Sequence, residues 1–161
     1  MYFSWLDFFK AFFSLFVIMD VLGNIPIYLL DTDSPENSPE DRKITDHLYV
    51  LDRETRMKQE MILGIGGYRL LAALGIKPSI YHMNEGHSSF LALEVIHEYM
   101  QGKLSFEEAL EKARGRIVFT NHTLVTGGQE VFGNELVSFL LSKYINDLGI
   151  PAQKIIDLGG I

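Results

Sequence analysis

Two short stretches hold residue types that could do chemistry. His82, Asn84, Glu85 and His87 lie in HMNEGH, and Asn121, His122 and Thr123 lie in TNHT. Imidazoles and a carboxylate can bind a metal, move protons, or exchange hydrogen bonds with a polar ligand. A helical zinc motif needs histidines four apart, so that both share one face. His82 and His87 are five apart, and successive residues of a strand point to opposite sides, so His82 and Glu85 need not converge. The types and spacing leave three readings open: a metal site, a polar small-molecule site such as one for sugar, or turn residues with satisfied histidines. A third stretch, Gly64-Ile65-Gly66-Gly67, lacks the GxGxxG spacing of a phosphate loop and falls inside a helical pattern.

The elements that must position these clusters are legible in outline. From about Asp52 to Leu74, Met57, Met61, Ile65, Leu70 and Leu74 recur near helical spacing, and the glycines within predict close packing or a break. Gly75 and Pro78 mark a loop before a short apolar strand, Ser79 to Met83. Ser88 to Met100 is an amphipathic helix offering Phe90, Leu91, Leu93, Val95 and Ile96 for burial. Ser105 opens another, with Glu108 at capping-box spacing. Arg116 to Thr120 is a second strand. Asn134 to Asp147 is a last helix, stopped by Gly149 and Pro151. Strand, helix, helix, strand, helix predicts an α/β layer fold with parallel strands and crossover helices. Ligands of such sheets bind beyond the carboxyl ends of the strands, where both polar clusters fall.

Composition narrows the classes of partner. A chain of 161 residues, 47% hydrophobic, can bury one sizeable core. Fourteen basic against 21 acidic residues give a net charge of −7 with no basic cluster, which argues against a nucleic-acid partner. The absence of cysteine excludes disulfides, thiolate zinc sites and a cysteine nucleophile.

The first thirty residues differ in texture. They hold six of the eleven phenylalanines, the only tryptophan and three charges, Asp7, Lys10 and Asp20. Residues 1–27 are therefore expected to form an apolar helix, and the run from Ala11 to Leu30 has about the ~20 residues that cross a bilayer. Asp20 inside that run, with Gly23 and Pro26, opposes insertion; the competing expectation is a hydrophobic helix buried against a partner. After Leu30 the acidic, turn-rich LDTDSPENSPEDRKITDHL reads as a surface loop.

From about Ile25 onward the chain resembles the α-glucan phosphorylases, especially their shorter bacterial and archaeal branch. The matching text is IPIYLLDTDSPENSPEDRKITDHLY, DRETRMKQEMILGIGGYRLLAALGI, HMNEGHSSFLALE and VFTNHT, which together cover nearly all of residues 25 to 147. The resemblance implies phosphorolysis of terminal α-1,4-linked glucose to glucose 1-phosphate by a cytoplasmic enzyme. It also implies a two-lobed (GT-B type) glycosyltransferase, with residues 28–161 as part of its Rossmann-like amino-terminal catalytic lobe. Pyridoxal phosphate belongs to the carboxyl-terminal lobe, and no lysine here matches its attachment site. Carried across by position, His122 lines the cleaved glucosyl unit with its backbone carbonyl facing the sugar, and is the catalytic residue. Asn84, Glu85, His87, Asn121 and Thr123 line the glucan side of the cleft, and His82 is structural. On this resemblance the clusters form a sugar site.

Two departures stand out. Leu124 to Gln129, LVTGGQ, replaces a family stretch rich in proline, and Val50 and Leu51 stand where two glycines are usual. The amino terminus carries a second resemblance: FFKAFFSLFVIMDVLGNIPIYL is similar to the first transmembrane helix of MarC-type membrane proteins, with Val21 in place of a proline. The two meet near Asn24 to Tyr28. The expectation is a fused or truncated reading frame that carries the glucan-side half of a phosphorylase cleft, inactive by itself without the phosphate-binding lobe. The competing expectation is a non-catalytic glucan-binding or membrane-anchored remnant. Uncovered strand edges and an apolar amino terminus predict poor solubility.

Overall fold

A computed structural model describes residues 17–19, 26–48, 50–123 and 130–159. It divides into two compact units, residues 1–62 and 63–161.

In the first unit, β1 (Val17–Met19) pairs antiparallel with β2 (Pro26–Tyr28). At these residues the expected apolar helix over 1–27 gives way to strand. Wherever that segment is described it is strand, in keeping with the preference of Val and Ile for extended backbone and of Pro for the first position of a strand. No helix among the described residues is long and apolar enough to cross a membrane. The remainder of the expected span, including Asp7, Lys10 and Asp20, lies outside the described residues. The acidic stretch that follows is a loop, as expected, apart from one 3-10 turn at Asp41–Lys43, and is closed by side chains. Thr32 is fully buried. Its hydroxyl lies 3.0 Å from that of Thr45, its amide donates to the Thr45 hydroxyl at 3.1 Å, and its carbonyl accepts from Asn37 at 2.8 Å. Helix α1 (Arg53–Met61) starts at an Asp52 cap that accepts from the Thr55 amide. On its buried face Arg56 and Glu60 pair at 3.1 Å.

One π-helical turn, Ile62–Gly66, leads to α2 (Gly67–Ala73), so the long helix expected over this stretch is interrupted at its glycines. The second unit contains the parallel pair β3 (Tyr81–Asn84) and β4 (Ile117–Thr120), in register Tyr81 to Ile117 and Asn84 to Thr120. Between them run α3 (Leu91–Gln101) and α4 (Phe106–Arg114). Ser105 and Glu108 form the reciprocal capping box that their spacing predicts. Tyr81 and Met83 put the inner face of β3 against Leu91, Val95 and Ile96 of α3 and Phe106, Ala109 and Ala113 of α4. This alternation, buried at Tyr81 and Met83 and exposed at His82 and Asn84, sets which residues reach the site.

Arg116, just before β4, fastens the amino-terminal ends of the strands. Its guanidinium donates to Glu98 at 3.0 Å and to the Pro78 carbonyl at 2.8 Å, and lies over the rings of Tyr81 and Tyr99. The Tyr68 hydroxyl donates to the same Glu98 and, with Arg116, holds that carboxyl below its usual range. Glu94 is buried on α3 and is held by Arg69 at 2.6 Å. The expected single helix over 134–147 is two, α5 (Asn134–Leu140) and α6 (Ser142–Leu148), with Leu141 outside helical geometry between them. Gly149 ends α6 in the left-handed conformation. A further helix, α7 (Ala152–Gly159), follows where the sequence was read as a stop. Leu124 to Gln129 lie outside the described residues.

Gly64 carries the tightest packing. A Cβ there would come within 2.6 Å of the Leu91 nitrogen and 2.9 Å of the Phe90 carbonyl carbon, both main-chain atoms that cannot swing aside. Gly64→Ala should therefore lower stability by about 1–3 kcal/mol, although alanine is the better helix former. The check is the midpoint of urea unfolding, which should fall with no change in slope.

Candidate functional site

Both polar clusters emerge from the carboxyl ends of adjacent parallel strands, because equal register puts Asn84 beside Thr120. His82 and Asn84 point to the exposed face of β3. His82 Nε2 lies 2.6 Å from the Thr120 hydroxyl across the pair. That contact stays on the sheet, short of the loops.

Glu85 is where the chain leaves β3, and it joins the two loops. Its Oε1 accepts from the His122 amide at 2.6 Å, the Thr123 amide at 3.0 Å and the Thr123 hydroxyl at 3.2 Å. The His122 imidazole Nδ1 lies 3.4 Å from the same oxygen. Within the second loop the Asn121 side-chain oxygen also accepts from the Thr123 amide, at 3.0 Å. These bonds, the one from the His122 amide first, draw the Glu85 carboxyl below its usual range. Its backbone sits at φ 62° and ψ −174°, a conformation that glycine adopts freely. For any other residue it costs on the order of 1–3 kcal/mol. The Gly86–Ser88 turn then places His87, half-buried, ahead of α3. The His122 side chain is 63% exposed, so its backbone, held at both amides, is the better-fixed part of that residue.

Glu85, Asn121, His122 and Thr123 are thus brought together, Asn84 stands at the strand end beside them, and His82 belongs to the sheet. Among the described residues no three His, Asp or Glu side chains are grouped to hold a metal. Sequence reading missed the part of Thr120 as partner of His82 and the part of Glu85 as a tie between loops. A glutamate in a glycine-like backbone conformation leaves no mark in residue type or spacing. The arrangement leaves the exposed Asn84 side chain and the largely exposed His122 imidazole beside a fixed backbone turn, groups that can exchange hydrogen bonds with a polar ligand.

The chain is 46% identical over 138 residues to the maltodextrin phosphorylase of Thermococcus litoralis. It is 40% identical over 154 residues to the glycogen phosphorylase of Mycobacterium tuberculosis, and 34% over 140 residues to that of Aquifex aeolicus. Each alignment takes in 86% of this chain, while the chain spans 16%, 17% and 20% of the three relatives in turn. No family model and no solved structure matches it.

A carboxyl lowered by folding adds stability above its unfolded value and loses it as the pH falls through the folded one. The Glu85 tie should accordingly be intact at neutral pH and come apart below the ordinary glutamate value of 4.5. Amide proton resonances of His122 and Thr123 should titrate together in that acid range, and Glu85→Gln should abolish their shared titration.

Proposed function

Most of this chain is homologous to one segment of the glycogen and maltodextrin phosphorylases, and from that premise we propose that it forms the glucan-facing part of an α-glucan phosphorylase cleft. On this reading the α/β unit is a portion of the Rossmann-like lobe of a two-lobed glycosyltransferase, with residues 28–161 as the phosphorylase segment. The observation that carries it is the junction of the NEGH and NHT loops through Glu85 at the carboxyl ends of β3 and β4.

In phosphorolysis the bond from the anomeric carbon to O4 of the next glucose breaks, and O4 leaves with a proton given up by the hydrogen phosphate. A phosphate oxygen forms the new bond to that carbon. Positive charge builds at the anomeric centre as the old bond lengthens. The His122 carbonyl, on a backbone held at both neighbouring amides, presents a fixed dipole to that charge without transferring a proton. Asn84, His87, Asn121 and Thr123 would exchange hydrogen bonds with glucan hydroxyls and fix the register of the chain.

Pyridoxal phosphate, which the homology implies for the complete enzyme, finds no attachment point among the described residues. A Schiff-base lysine is held desolvated with a lowered pKa. Lys43, Lys77, Lys103, Lys112 and Lys143 are exposed. Lys58 and Lys154 are ion-paired to Glu54 and Glu107. The described residues therefore do not fit the cofactor, and turnover requires the remainder of a phosphorylase polypeptide.

The chain by itself should bind maltoheptaose and release no glucose 1-phosphate when phosphate is added. Asn84→Ala should weaken binding about 3- to 10-fold, the worth of one hydrogen bond. Titration of labelled protein with the sugar measures both, and a chain indifferent to maltoheptaose at millimolar concentration would overturn the glucan reading.

A further inference from the structure

We propose that Glu85 is a positioning residue that aims the His122 carbonyl, acting on the reaction through the backbone instead of contacting the sugar. The inference rests on the glucan reading for its consequence and on bond geometry for its substance. The Thr123 N–H and the His122 carbonyl are the two ends of one peptide group. That group is planar and trans, so the two bonds point in opposite directions. With the N–H donating to Glu85 Oε1 at 3.0 Å, the carbonyl oxygen must face away from Glu85.

The preceding peptide is fixed in the same way, since the His122 N–H reaches the same oxygen at 2.6 Å. Two successive amides converging on one anionic oxygen hold the turn as a unit, and the Thr123 hydroxyl closes it as a third donor at 3.2 Å. An N–H that donates to a carboxylate also polarises its own peptide group, and so strengthens the carbonyl at the far end as an acceptor of positive charge. The glycine-like backbone of Glu85 gains its meaning here. With three donors on Oε1, the side chain is turned toward the second loop, which makes the carboxylate a support for the site.

Two readouts test this in the full chain, comparing wild type with Glu85→Gln and Glu85→Asp. The first is the nuclear magnetic resonance correlation linking the Thr123 amide to the His122 carbonyl. The second is the ratio of affinities for cationic 1-deoxynojirimycin and neutral maltose; Glu85→Gln also removes a negative charge, so the share of the carbonyl dipole is read from Glu85→Asp, which keeps the charge and alters the reach. Glu85→Gln should displace the His122 carbonyl signal more than that of any other histidine. It should lower the cation-to-neutral affinity ratio about tenfold, the loss of roughly one charge-assisted interaction, while Glu85→Asp retains part of both. If maltose binds and neither readout moves, the positioning role is overturned and the glucan site stands. If neither sugar binds wild type, the glucan reading fails, and the carbonyl signal alone decides whether Glu85 aims the peptide; an unmoved signal overturns it. Unchanged Tyr81 and Met83 amide signals verify that a variant keeps the strand pair, and should Glu85→Gln unfold, Glu85→Asp carries the same comparison.

Discussion

Parallel strands cannot be joined by a tight turn. Bringing β3 and β4 side by side requires a crossover, which α3 and α4 supply. That one constraint organises the second unit. It puts both helices against Tyr81 and Met83. It also points the two strands the same way, so the loops that follow them, NEGH and NHT, emerge at the same end. Neither cluster would be near the other if the strands ran antiparallel in the same register.

The two ends of the strand pair are held by different chemistry. At the amino-terminal end Arg116 collects Glu98, the Pro78 carbonyl and the faces of Tyr81 and Tyr99. Every group there has a partner within the unit, so that end reads as structural. At the carboxyl end, Glu85 binds main-chain amides and leaves the His122 imidazole exposed. The rigidity is in the backbone, where the Asn121 side-chain oxygen also takes the Thr123 amide, while the Asn84 side chain and most of the His122 imidazole stay exposed. Separating a saturated end from an unsaturated one lets the pair be stable and still present polar groups outward.

Elements governed by local patterns were legible from residue types. The capping box at Ser105 and Glu108, the apolar stripe of α3, the strand before Thr120 and the glycine that ends α6 all follow from short-range rules and are present. The failures fall where local rules compete. Residues 17–19 and 26–28 lie in an apolar run long enough for a helix, yet pair as strands; composition there did not decide between periods. The helix over 134–147 breaks at Leu141, and α7 follows Pro151, a residue that suits the start of a helix as well as the end of one. For the site, the residue types and their place beyond the strand ends were readable, whereas the direction of the Glu85 carboxylate was not. That direction depends on a backbone conformation and on partners 37 and 38 residues away.

On β4, Val118 and Phe119 are each about half exposed, at 48% and 51%, although they point to opposite faces, and β3 is the strand's one partner among the described residues. The consequence is one of timing. Tyr81 must wait for Ile117 before the ladder can close, whereas α3 and α4 form from near neighbours as soon as they exist. On a ribosome the helices and the Tyr81–Met83 face would therefore collapse first, and β4 would join them afterwards, as a strip of extended chain with apolar side chains on both sides. Such a strip is open to pairing with another chain for as long as its free edge and apolar side chains stay uncovered.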